Sequence, residues 1–268
     1  MEIQTYIPGQ LKGLVNMIWE QKAEIHNGWQ ILPSGFVELV FMLGPAMDEV
    51  KGKLIDDAFN PTTNFCFLSG LHTKPLTIKC GLFHTFGIQM HPICVKAIFG
   101  IPSVEVRDWA VEGKYLMSGM AEIEDQLLAE NTFLSKAKWL ENYFVKKIRE
   151  HSDLITALKI RRVIQRARQK IVEDKRLKIE DLTGYSRMHT HQLFKEWFGL
   201  APGRALRLSQ FTYSLELLQN RSLRLTETAF QSGFYDQSHF IRVFYEFADM
   251  TPGDYRKRMI PIVGQIPV

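Results

Sequence analysis

The chain has 268 residues, 46% hydrophobic and 23% charged, an ordinary globular composition that excludes a disordered chain and leaves room for two domains. Three cysteines do not make a disulfide framework, no apolar run approaches the ~18 residues that span a bilayer, and the opening MEIQTYIPGQ lacks a basic segment followed by an apolar one; a cytoplasmic protein with no membrane partner is expected. The net charge of +4 divides unequally: residues 1–150 hold 14 Lys and Arg against 17 Asp and Glu (−3), and residues 151–268 hold 19 against 12 (+7), which directs one half of the chain at a polyanion.

In chain order, the turn signal Pro33-Ser34-Gly35 precedes a β-branched and apolar run at 37–43 that predicts a strand. Residues 64–68, 76–80 and 85–90 are further short strands, and residues near Asp56-Asp57 read as a polar loop. Strands at this frequency predict a sandwich or barrel. Residues 95–99, followed by Gly100-Ile101-Pro102, predict a short helix with a stop. From about Ala121 the apolar period turns helical: Ile123, Leu127, Leu134, Leu140, Phe144 and Ile148 recur through two helices broken at Asn131-Thr132. This stripe is either a homodimer contact or a face packed on the β-rich part. The domain boundary falls near His151-Ser152-Asp153, with Asp153 as N-cap of the next helix. Everything beyond reads as helix, punctuated by Gly184, Gly199, Pro202-Gly203, Asn220, Gly233 and Pro252-Gly253.

The helical half contains a repeat. Residues 193–203 (LFKEWFGLAPG) align with residues 243–253 (VFYEFADMTPG), and Gly184-Tyr185-Ser186 corresponds, with one residue of slippage, to Gly233-Phe234-Tyr235-Asp236. A duplicated supersecondary unit follows, and the unit reads as helix-turn-helix. In the second copy 226–232 is the first helix, Ala229 allows close crossing, Gly233 takes the turn, and Asp236 caps the next helix. Phe240, Val243, Phe244 and Phe247 face inward, leaving Gln237, Ser238, Ile241, Arg242 and Tyr245 outside. In the first copy Thr190, Leu193, Phe194 and Trp197 face inward, and Arg187, Met188, His191, Gln192 and Lys195 face out. Arg, Gln, Ser and His on the N-terminal half of a helix suit base edges in a major groove, and an outward Met or Ile suits a thymine methyl.

At residues 233–256 (GFYDQSHFIRVFYEFADMTPGDYR) the sequence closely resembles the C-terminal signature of the AraC/XylS family of bacterial transcription regulators, a resemblance that covers about 153–258. It implies an α+β protein of two domains: a β-rich, cupin-like barrel or sandwich followed by helices over 1–150, and an all-α double helix-turn-helix over 151–268, its units joined by a long helix at about 203–219. It implies sequence-specific binding of double-stranded DNA, with base-reading positions at Met188, His191 and Gln192 and at Gln237, Ser238, Ile241 and Arg242. RNA polymerase is implied as a second partner. Five positions depart from the family pattern: Glu180 stands for a small alanine, Thr190 for leucine, Gln192 and Gln210 for arginine, and Asp249 for a frequent glycine. Residues 31–41 and 86–94 resemble the β-rich domain that precedes some such modules, with Ser34 in place of an Asp; in related regulators such domains bind a small-molecule effector or mediate dimerisation.

Other chemistry is thin. Cys66, His72, Cys80, His84, His91 and Cys94 cluster in sequence but lack CxxC or HxxxH spacing, so buried cysteines and scattered histidines are expected rather than a metal or redox site. Glu38 sits in an apolar strand run flanked by Trp19 and Trp29; facing a barrel interior it would orient a polar or cationic effector, and facing out it would be an ordinary strand residue. There is no nucleophile elbow, phosphate-binding glycine loop or paired carboxylates in a plausible cleft, so no enzyme, cofactor or metal is expected. The alternative is a cupin-like, metal-dependent enzyme domain fused to a DNA-targeting module, which an HxH motif with a later Glu and His would have favoured. A DNA-repair fusion would need a Cys-rich methyl-acceptor motif, which the first half lacks.

Overall fold

The computed structural model describes residues 2–24, 28–44, 49–52, 66–79, 82–149, 154–174, 177–260 and 262–267. Asp56-Asp57, Asn64, Cys80 and the boundary residues His151, Ser152 and Asp153 lie outside them.

The first half is built from two antiparallel sheets. One places β1 (Glu2–Tyr6), β2 (Val15–Glu24), β8 (Leu82–Met90), β4 (Val37–Met42), β6 (Cys66–Ser69) and β9 (Ala110–Glu112) side by side in that order. The other runs β10 (Gln265–Pro267), β3 (Trp29–Ile31), β7 (Leu76–Lys79), β5 (Glu49–Gly52). Side chains alternate across a strand, and the large sheet uses both faces. Ile18, Leu39, Phe41, Phe86 and Ile88 are buried on one side. There Phe86 lies 6.3 Å from Phe41 and 6.2 Å from Phe133, at the start of a helix packed on the sheet. Each such side chain contributes about 1.5–3 kcal/mol by leaving water. The opposite face carries Met17, Trp19, Glu38, Val40 and Gln89 into a cavity between the sheets.

Helix α1 (Ile93–Phe99) ends at Gly100 in the left-handed conformation, as its stop signal predicts. Helices α2 (Met120–Ala129) and α3 (Phe133–Arg149) are separated at 130–132, where Thr132 Oγ1 accepts from Ser135 N at 3.1 Å. Of the apolar stripe, Ile123, Leu127, Leu140, Phe144 and Ile148 are buried within the chain's own core, and Leu134 alone is exposed. The stripe therefore packs inward on the chain's own core.

Helix α4 (Leu154–Lys170) packs against α1 of the β-rich half and against the helices that follow. These are α5 (Glu180–Thr183), α6 (Arg187–Phe198), α7 (Pro202–Leu218), α8 (Leu225–Gln231), α9 (Gln237–Ala248) and α10 (Pro252–Arg258). The expectation of helix alone beyond residue 121 is corrected at one place: the 262–267 segment returns to the first half as β10 on the edge of β3. Gly264 N donates to the buried Tyr255 hydroxyl at 3.1 Å, and Gly264 O accepts from Leu32 N at 2.8 Å.

Candidate nucleic-acid interface

Two helices are presented in the same way. Ser186 Oγ caps α6 by accepting from His189 N (3.3 Å), and Asp236 Oδ1 caps α9 by accepting from His239 N (2.6 Å). Each ends on a left-handed residue, Gly199 and Asp249, and each is followed by a helix opening on proline, Pro202 and Pro252. Gly184 and Gly233 take the turns at φ 72° and 82°. The duplication read in the sequence is thus a duplication of capping geometry.

On α6, Arg187, Met188 and Gln192 are exposed and His191 is half-buried; on α9, Ser238 and Arg242 are exposed and Gln237 and Ile241 half-buried. All eight anticipated positions lie at the surface on the N-terminal part of their helix. Met188 is 81% exposed, a cost in water that contact with an apolar group would relieve. Burial lowers the His239 pKa, Arg242 and Arg207 lower it further, and Asp236 opposes them. Inward, Phe240, Val243, Phe244 and Phe247 are buried, as are Thr190, Phe194 and Trp197, with Leu193 half-buried.

The departures from the family pattern have structural partners. Glu180 Oε1 lies 3.3 Å from His191 Nε2, so an acidic residue is held against one of the anticipated reading side chains. Thr190 is fully buried and its hydroxyl meets that of Thr183 at 2.8 Å. The matching place in the second unit is filled by Phe240 against Phe234, at 5.1 Å between centroids. Gln210 on α7 donates to Gly233 O at 2.8 Å in a buried site, fastening the joining helix to the second turn. Asp249 receives Lys74 Nζ of the β-rich half at 2.8 Å. Aspartate is among the few non-glycine residues that enter the left-handed region readily.

Among the described residues, hydrogen bonds and ion pairs from the first half reach both helices at their C-terminal ends. Ser103 N donates to Glu196 O (2.8 Å) and Ser103 Oγ to Trp197 O (2.9 Å). Arg107 donates to Gly199 O (3.1 Å), and Lys96 pairs with Glu196 while lying 4.7 Å over Trp197. With Lys74–Asp249, these contacts hold α6 and α9 from one side; nothing in the sequence singled out Lys74, Ser103 or Arg107.

Of the cysteine and histidine cluster, Cys66 and Cys94 are buried free thiols. Burial drives the Cys94 pKa up to about 12 and Cys66 up as well. It drives His72 down to about 4 and His91 to about 3. His84 instead contacts Glu20 at 2.7 Å. Among the described residues no three His, Cys, Asp or Glu side chains are grouped to hold a metal ion, and no helix is long and apolar enough to cross a membrane.

A β-sheet half carrying two like-capped helix-turn-helix units joined by one long helix defines a double helix-turn-helix protein. A helix-turn-helix domain family matches residues 179–258, and a domain of unknown function, DUF6597, matches residues 4–112. The chain is 28% identical over 79 residues to the probable transcription factor PqrA of Proteus vulgaris, covering 30% of this chain and 65% of that one. It is 36% identical over 69 residues to the HTH-type transcriptional activator RhaR of Yersinia pseudotuberculosis, covering 26% and 24%. It therefore spans less than two thirds of the length of these curated relatives. Among solved structures, ToxT of Vibrio cholerae superposes with a TM-score of 0.50 at 13% identity, over 96% of this chain and 98% of that one, a likeness of fold. The helix-turn-helix module at residues 179–258 is of the AraC/XylS type.

Proposed function

We propose that the protein is a sequence-specific DNA-binding regulator of transcription. Helices α6 and α9 enter successive major grooves, with Arg187, Met188, His191 and Gln192 on the first and Gln237, Ser238, Ile241 and Arg242 on the second facing the bases. The observation that carries this reading is the pair of like-capped helices whose N-terminal outward positions lie at the surface, in a half that carries +7. The relatives' names, a transcription factor and a transcriptional activator, support it. The β-rich half, gripping both units at their far ends, is the element through which an effector would act, and RNA polymerase is the proposed protein partner on DNA.

Genome-wide recovery of DNA bound to the full chain tests the reading. Recovered duplexes should be bound with an affinity that falls steeply as salt rises, through release of condensed counterions, and scrambled duplexes more weakly at every salt concentration. No enriched sites, and equal affinity for recovered and scrambled duplexes, would sink it.

A further inference from the structure

A cavity of about 620 Å³ lies between the two sheets, within the size range of small-molecule sites. Its floor is a single cross-strand row, since Met17 is paired with Gln89, Gln89 with Glu38, and Glu38 with Ser69. Beside that row the Trp19 indole lies across Gly87, where an added Cβ would meet the ring at 2.4 Å; glycine is what lets the ring lie flat on the strand. Trp29 and Phe36 line other parts of the cavity. The remaining wall is Thr212, Leu215 and Glu216 of α7 and residues 262–265 of the returning segment.

The polar content of the cavity has one sign. Glu38 Oε1 accepts from Gln89 Nε2 at 2.6 Å, and Gln89 Oε1 accepts from Asn16 Nδ2 at 2.6 Å, so the carboxylate is held in place by a relay. Among the described residues Gln89 is its hydrogen-bond partner, leaving Oε2 for whatever occupies the cavity. The other carboxylate is Glu216, and no Lys or Arg lines the cavity among the described residues. His72 is neutral, burial having lowered its pKa to about 4, and its Nε2 is engaged with Ser69 Oγ at 2.7 Å. An anionic ligand would bring a like charge to two carboxylates with no cation to meet it. A neutral apolar ligand would leave the enclosed carboxylate unmatched. A cation gains the carboxylate, and the aromatic lining of the same cavity favours it further.

We propose that this cavity binds an organic ammonium carried on an apolar body, with the charge on Glu38 and the body against the aromatic lining of Trp19, Trp29 and Phe36. Burial raises the Glu38 carboxyl above its ordinary value, with the Gln89 bond opposing, so an empty site pays for an ionised Glu38 that a bound ammonium stabilises. Because α7 joins the two helix-turn-helix units and forms one wall, occupancy bears on their placement. The assignment deepens the regulatory reading above by naming the class of its effector.

The test uses the full chain and three matched probes, 4-phenylbutylamine, 4-phenylbutanol and 4-phenylbutyrate, followed by tryptophan fluorescence and calorimetry. The amine should bind about ten-fold or more tighter than the alcohol, and the carboxylate weakest. Glu38→Gln, close in shape, should erase the amine's advantage and leave the alcohol unchanged, with circular dichroism and melting checking the fold. A carboxylate that binds as tightly as the amine, an advantage retained in the Gln variant, or no probe bound at millimolar concentration would each overturn the assignment, the first and third without any variant. DNA binding is measured on the same preparation. Ranked probes without DNA binding would uphold the ligand class and sink the regulatory reading, and DNA binding with unranked probes would do the reverse.

Discussion

Replacing Gly233 by alanine tests whether the turn before α9 fixes that helix on the protein. At φ 82° an L side chain costs about 1–2 kcal/mol. The new Cβ would meet Ile171 Cγ2 at 2.6 Å and Gln210 Nε2 at 3.2 Å. Ile171 branches at Cβ, so moving Cγ2 away forces χ1 off its preferred rotamer, at about 1 kcal/mol. Shifting the Gln210 amide weakens its buried bond to Gly233 O, worth about another 1 kcal/mol. The sum is a loss of about 3–4 kcal/mol in urea unfolding, accompanied by weaker DNA binding as α9 tilts. Gly233→Ala combined with Ile171→Ala removes the overlap but keeps the backbone cost, so the two changes should couple favourably by about 1 kcal/mol in a double-mutant cycle. A loss under about 1 kcal/mol for the single change, with DNA affinity intact, would refute the reasoning; it would mean the turn relaxes freely.

Two further outcomes are expected. Arg242→Ala should cost roughly 1–3 kcal/mol on a preferred duplex and little on a scrambled one, with melting unchanged because the side chain is exposed; an equal loss on both would make Arg242 a phosphate contact, and no loss would remove it from the reading surface. Glu20 is buried between His84 (2.7 Å) and Lys136 (3.0 Å). Burial disfavours its charge, yet the bonds from His84 and Lys136 outweigh burial and lower its pKa. Its contribution is therefore full above the ordinary glutamate range and lost as pH falls through the lowered value. Glu20→Gln should destabilise by about 1–3 kcal/mol near neutral pH, and the gap to the unsubstituted chain should close in acid. A gap that persists at low pH would show that the loss is one of packing rather than charge.

The parts of the fold legible in the sequence are those where one periodicity serves one burial pattern. Helix α9 shows this: its inward Phe240, Val243, Phe244 and Phe247 alternate with exposed Ser238 and Arg242, and its N-cap Asp236 is a usual capping residue. Strand β4 was legible for the opposite reason, being apolar nearly throughout. Strand β2, ten residues long, was not, because each of its faces mixes polar and apolar groups. Ile18 and Glu20 share the helix-facing side, where Glu20 is tolerated by its two partners, and Met17, Trp19 and Gln21 share the cavity side. Strand β1 is exposed along nearly its whole length and has no pattern to read. The eight anticipated positions were all placed at the surface by helical spacing. The Glu180–His191 contact was foreshadowed only as an acidic residue in an unusual place, and the grip on α6 and α9 depends on loops whose partners lie about a hundred residues or more away.

The pairing of β10 with β3 joins Ile31 to Gln265, so the edge of β3 stays uncovered while more than two hundred further residues are made. At roughly 5–20 residues per second this is on the order of 10–50 s of synthesis, during which Trp29 and Ile31 sit on an open strand edge of the kind that invites mispairing. A ribosome that stops early releases a β-rich half with one wall missing, exposed to proteases and chaperones. The cavity is completed only in a chain that already carries its helix-turn-helix units, and a truncated product cannot compete for whatever the cavity holds.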